Sequence, residues 1–137
     1  MTLKTPKKSI KNESTGEKKL TEVELELVTI LWRLEGGTVN EVLAELPAQR
    51  QLAYTSVSTV LRILEQKGVL RSRKEGRGHL YLPLLSKEKY EASSLQHLVT
   101  KVFDGTPSAL VKRLLESEGL TDTELQSIRA LLNEHKS

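Results

Sequence analysis

Beyond Leu20 the chain is a succession of apolar stripes at helical spacing, interrupted once by two strand-like segments around a glycine-containing turn. Val23, Leu27, Ile30, Leu31 and Leu34 recur at steps of three and four, behind the opening Leu20-Thr21-Glu22-Val23-Glu24. A Thr with a Glu three residues on predicts a capping box, and Leu20 supplies a hydrophobic staple. A helix is therefore expected from Thr21 to about Leu34, stopping at Gly36-Gly37. Thr38-Val39-Asn40-Glu41 repeats the box and opens a second helix, with Val39, Val42, Leu43 and Leu46 on one side and Pro47 at its end. A third stripe of Val57, Val60, Leu61 and Leu64 predicts helix from about Ala53 to Gln66, closed by Lys67-Gly68 with the lysine assisting the C-cap. Val69 to Lys74 and His79 to Leu84 then read as strands joined by Glu75-Gly76-Arg77-Gly78.

Past the hairpin the pattern is helical throughout. Ser86 can cap a helix reaching roughly Val102, Asp104-Gly105-Thr106-Pro107 breaks it, and Ser108 to Ser117 forms another. Gly119 to Glu124 supplies a break, a staple and a third capping box before a final helix. Apolar stripes line all three: Leu95, Leu98, Val99 and Val102; Leu110, Val111, Leu114 and Leu115; Leu125, Ile128, Leu131 and Leu132. These helices are too few to enclose a core of their own. Either they fold back on the N-terminal part or they meet a partner chain, and a homodimer is the expected answer because two-fold pairing is the commonest. Leu95, Val99, Leu110, Leu114, Leu125, Ile128, Leu131 and Leu132 are the residues expected to form that contact.

The fold class is thus mainly α: three helices and a β-hairpin, the order of a winged helix-turn-helix, followed by a helical dimerisation region. The expected division is a basic arm over residues 1–19, a winged-helix domain over 20–85 and the dimerisation region over 86–137. The arm is rich in Lys, Ser, Thr and Asn and too poor in apolar residues to offset its own ordering entropy, so it reads as disordered. It is either a solubilising tail or an arm lying along phosphates.

Composition narrows the chemistry. The 137 residues suffice for one domain, or for a small domain with an appended unit. Hydrophobic residues make up 37% and aromatics 4%, so the core rests on Leu, Val and Ile, and no aromatic-lined cofactor pocket is expected. No cofactor is assigned. No apolar run approaches the roughly 18 residues of a membrane helix, and the basic start lacks the apolar stretch of a signal peptide. A cytoplasmic protein with no membrane partner is expected. The absence of cysteine rules out disulfides, thiolate metal sites and a cysteine nucleophile.

The formal net charge of +3 matters less than its distribution. Residues 20–49 set Arg33 against Glu22, Glu24, Glu26, Glu35, Glu41 and Glu45. Residues 50–79 set Arg50, Arg62, Lys67, Arg71, Arg73, Lys74 and Arg77 against Glu65 and Glu75. Positive charge is confined to the arm and to that block, which suits a polyanion partner. Within the block, the third helix carries Thr55, Ser56, Ser58, Thr59, Arg62 and Gln66 off its apolar stripe. All can hydrogen-bond and none is acidic. Four hydroxyl residues in five positions cost helix propensity without a folding benefit, and short hydroxyls allow close approach to phosphates and base edges. The third helix is expected in the major groove and the hairpin, through Arg73, Lys74 and Arg77, on the backbone or minor groove of double-stranded operator DNA. The bland alternatives are a solvated helix face and a strand edge whose charges resist aggregation.

Two other classes compete. An enzyme would need a nucleophile with a base, a phosphate loop or a metal cluster; His79, His97 and His135 are scattered, and no catalytic residue or metal ligand is assigned. A winged-helix module that binds protein and never DNA would favour acids on the third helix, and that face carries none.

Leu20 to Glu26 with Leu31-Trp32, Thr38 to Val42, Ala53 to Leu61 with Leu64 to Gly68, Arg73 to Arg77 with Tyr81 and Pro83-Leu84, and Leu120-Thr121 through Leu132 form an ordered set. This set resembles the penicillinase and methicillin-resistance repressors, a family with copper-responsive relatives. The resemblance covers Leu20 to Asn133. It implies an N-terminal winged helix, a C-terminal dimerisation region and repression by occupying a palindromic promoter site. It also implies that Thr55, Ser56, Ser58 and Thr59 meet DNA, with Arg73, Lys74 and Arg77 on the wing. Some members are inactivated by proteolysis between an Asn and a Phe in the dimerisation region. The corresponding pair here is His97-Leu98, a departure at the place where such a protease would act. Copper-responsive members use C-terminal cysteine pairs, which this chain lacks, and the basic arm departs from the usual start close to the first helix.

Overall fold

The Thr21 hydroxyl accepts the Glu24 N–H at 3.1 Å while the Glu24 carboxylate accepts the Thr21 N–H at 2.9 Å, so the first helix begins where its capping box predicts. The computed structural model describes residues 19–135, and α1 runs Glu22–Leu34 within it. Apart from Lys19, the arm expected over residues 1–19 lies outside the described residues. Glu35 closes α1 in the left-handed region at φ 64°, and Gly36 follows at φ 129°. Its φ favours glycine, and a Cβ there would stand 2.7 Å from Leu82 Cδ2, so the Leu82 side chain would have to shift to admit one.

Thr38 and Glu41 close the second reciprocal box at the start of α2, Val39–Ala44. The longer α3, Tyr54–Gln66, leads through Gly68 (φ 84°) into β1, Leu70–Glu75, and β2, Gly78–Pro83. The strands are antiparallel with Glu75 opposite Gly78, leaving Gly76-Arg77 as the turn. Each strand lies one residue nearer the turn than the sequence pattern suggests. Val69 is spent instead on the base of the hairpin, where its carbonyl accepts the N–H groups of Leu84 and Leu85. Gly37 extends the sheet by a bridge to Tyr81, with N–H···O bonds of 2.9 and 2.8 Å in both directions.

The core lies where these elements converge. Leu27, Val28, Ile30 and Leu31 of α1, Val39 and Val42 of α2, Val57, Leu61 and Leu64 of α3, and Val69, Leu70 and Tyr81 of the hairpin are buried in one cluster. The helical stripes read from spacing are therefore the faces that pack.

After the hairpin the Ser86 hydroxyl accepts the Lys89 N–H at 3.0 Å and caps α4, Lys87–Lys101. Its first turns are held to α1: Trp32 Nε1 donates to the Leu85 carbonyl at 2.8 Å, and the Trp32 and Tyr90 rings lie 6.0 Å apart. The chain divides into two units between Ser94 and Leu95, inside α4. The second unit holds the remainder of α4, then α5, Pro107–Glu116, and α6, Asp122–Glu134. Thr121 caps α6 by accepting the Glu124 N–H at 3.1 Å. No described residue of this unit is buried. No helix among the described residues is long and apolar enough to cross a membrane.

Candidate nucleic-acid interface

The face of α3 opposite the core follows from helix geometry. With Val57, Leu61 and Leu64 buried, a rotation of about 100° per residue puts Thr55, Thr59, Arg62 and Gln66 on one line pointing away from them, and all four are exposed. Ser56 and Ser58 fall on opposite shoulders of that line. Ser56 is exposed, whereas Ser58 is half-buried on the shoulder toward the hairpin, with Arg62 Nη2 3.4 Å from its Oγ.

The start of α3 is also chemically open. Ala53 at the N-cap offers no side-chain acceptor, and no acid lies in the first turn. The first N–H groups, which carry the positive end of the helix dipole, are left for an outside acceptor. Tyr54 projects from this turn and is 50% exposed. Sequence reasoning passes over it; its position at the first helical residue, beside Thr55, is the signal that marks it.

The basic block of residues 50–79 divides by role. Arg50 donates through Nε to both carboxylate oxygens of Glu26, at 3.1 and 3.0 Å. The Lys67 ammonium binds both oxygens of Glu24, at 2.7 and 2.9 Å. These two cations hold the domain together. The other five, Arg62, Arg71, Arg73, Lys74 and Arg77, are exposed. Arg73 lies 3.7 Å from Glu75, both side chains more than half exposed, a weak pair in water.

The hairpin does not present its cations on one face. Strand alternation sets Arg71 and Arg73 on the side of Leu80 and Leu82, while Lys74 shares the other side with Ser72, His79 and Tyr81. Arg77 sits in the turn. Ser72 Oγ donates to Glu65 Oε2 at 2.8 Å, linking β1 to α3. Burial raises the titration of the neighbouring Tyr81 hydroxyl above its ordinary value, and the Glu65 charge adds to the rise against the opposing pull of Arg62. No group of three or more His, Asp or Glu side chains among the described residues is arranged to hold a metal ion.

The sequence profile of the penicillinase repressor family matches residues 20–134, spanning every element described above. This chain belongs to that family. Its members are transcriptional repressors rather than enzymes. The penicillinase repressor of Bacillus licheniformis is 28% identical over 118 residues, 86% of this chain and 92% of its own. The transcriptional regulator BlaI of Mycobacterium tuberculosis is 30% identical over 108 residues, 77% of this chain and 78% of its own. Among solved structures, that of BlaI from Bacillus licheniformis in its monomeric form, in complex with the blaP half-operator, is 30% identical to this chain. It covers 54% of this chain and 90% of its own, with a TM-score of 0.46.

Proposed function

We propose that this protein is a cytoplasmic transcriptional repressor that binds palindromic operator DNA as a homodimer, with α3 in the major groove and the hairpin on the backbone. One observation carries the reading: a helix whose outward line is Thr55, Thr59 and Arg62, with an uncapped start and no acid on that line, stands beside a hairpin of exposed cations. The open N–H groups of the first turn and the dipole suit a phosphate, while the hydroxyls of Thr55, Ser56, Ser58 and Thr59 and the guanidinium of Arg62 suit base edges. Arg73, Lys74 and Arg77 add sequence-independent attraction, with Arg71 beside them. Membership of the penicillinase repressor family, over residues 20–134, supports the same reading.

Dimer formation is supported by the second unit. Leu95, Leu98, Val102, Val111, Leu114, Leu115, Leu131 and Leu132 are each at least 40% exposed, and Val99, Leu110, Leu125 and Ile128 are half-buried. So many exposed apolar side chains on three consecutive helices are seldom left to water. A second copy covers it and carries a second α3 to the other half-site, one helical turn or a multiple away. The His97-Leu98 bond lies within α4, so a protease acting there would need that helix opened first.

Replacing Thr55, Ser58 and Thr59 together by Ala tests the reading. Sequence-specific binding is lost while the far-ultraviolet circular dichroism and melting temperature stay near those of the parent. Undiminished specific affinity would remove α3 from the role.

A further inference from the structure

Glu65 is the one acid of α3, and it follows Arg62 by three positions. At that spacing side chains on a helix meet, and a Glu and an Arg ordinarily attract each other into a pair. They do not pair here. Arg62 forms no ion pair among the described residues, its guanidinium lying against Ser58 instead. The Glu65 carboxylate is turned toward the hairpin, where Ser72 Oγ donates to it at 2.8 Å in a part-buried setting. Ser72 is directly opposite the buried Tyr81 in the strand register, so the donor stands on the best-anchored part of the hairpin.

We infer that Ser72 is a positioning residue for DNA binding: by holding Glu65 against the hairpin it keeps the acid off Arg62 and leaves that guanidinium free for DNA. A carboxylate paired with Arg62 would cancel one charge on the outward line of α3 and repel the approaching phosphates. A hydroxyl donating to a carboxylate is a short, charge-assisted bond, and under partial cover it outweighs an exposed ion pair three residues away. The device explains how the reading helix carries an acid without losing its cation. It rests on the DNA-reading role proposed for α3.

The test compares the full chain with Ser72→Ala, Glu65→Gln, the double variant and Arg62→Ala, all binding a mixed-sequence duplex of roughly 30 base pairs at low salt. Thermal unfolding checks that each variant is folded. Ser72→Ala should weaken binding about fivefold or more, comparable to Arg62→Ala. Glu65→Gln should bind at least as tightly as the parent, and adding it to Ser72→Ala should restore parental affinity. If Glu65→Gln weakens binding as Ser72→Ala does and the double variant is no better, the bond only anchors the hairpin and the inference is overturned. Parental affinity in Ser72→Ala overturns it as well. A parent chain that does not bind the duplex, or an Arg62→Ala variant that binds undiminished, overturns this inference, whereas the reading of α3 stands or falls separately on the sequence-specific binding of the Thr55→Ala/Ser58→Ala/Thr59→Ala variant.

Discussion

The Lys67 ammonium, at the C-terminal end of α3, donates to both carboxylate oxygens of Glu24 in the first turn of α1. Glu24 is only 6% exposed, and its Oε1 also accepts the Thr21 N–H. One carboxylate thus closes a helix cap and ties the far end of the reading helix to the start of the domain. Burial alone would push the Glu24 carboxyl up. The donors from Lys67 and Thr21 together outweigh that and hold it below its ordinary value of 4.5.

Lys67→Met should therefore destabilise the protein by about 1–3 kcal/mol, because it leaves a buried carboxylate with only its cap partner. Urea unfolding of parent and variant measures this. A change within about 0.5 kcal/mol would show that the pair is only incidental to the fold.

The same carboxylate sets a pH dependence. Its folded-state titration lies below the unfolded one, so the stabilisation is fully present above about pH 4.5 and is lost as pH falls through the lower folded value. Unfolding free energy measured from about pH 6 down to pH 3 should fall less steeply in Glu24→Gln than in the parent. Parallel curves would contradict the assignment.

Gly36→Ala combines a backbone angle of φ 129° with a Cβ 2.7 Å from Leu82 Cδ2. The expected cost is about 1–3 kcal/mol in the same unfolding measurement. Alanine at Gly76, which has open space around it, meets no such neighbour and should cost less despite its own positive φ.

The local features were legible because their causes are local. Thr21 with Glu24, Thr38 with Glu41 and the three core stripes of α1, α2 and α3 depend on neighbours three or four residues away. What spacing could not reveal is what joins distant segments. By sequence Lys67 and Arg50 belong with the basic block that suits a polyanion, yet Glu24 and Glu26 claim them from 43 and 24 residues away. The link from Ser72 to Glu65 and the Trp32–Tyr90 ring contact are invisible for the same reason, and the latter carries the first turns of α4 into the N-terminal unit. Thr55, Ser56, Thr59 and Arg62 stand exposed where the stripe arithmetic puts them. Ser58, by contrast, is half-buried.

Arg73, Lys74 and Arg77 changed together to Ala should weaken binding to all duplexes and lower the slope of log affinity against log salt by about one unit for each phosphate no longer neutralised. Equilibrium binding across a salt series reads this directly. An unchanged slope would place the hairpin away from the backbone.

Leu114→Glu combined with Leu131→Glu puts charge on surfaces of α5 and α6 that are 43% and 63% exposed in the single chain. If a second copy covers them, the parent measures as a dimer by light scattering and the variant as a monomer. A monomeric parent, or a variant that remains dimeric, would contradict the proposed interface.

The central claim, that the outward face of α3 reads DNA sequence, is tested most directly by selecting bound duplexes from a randomised pool with the full chain and with Thr55→Ala/Ser58→Ala/Thr59→Ala in parallel. The account predicts that the parent enriches inverted half-sites separated by about one helical turn or a multiple, and that the variant enriches none. Enrichment of the same half-sites by both proteins, or of none by the parent, would contradict it.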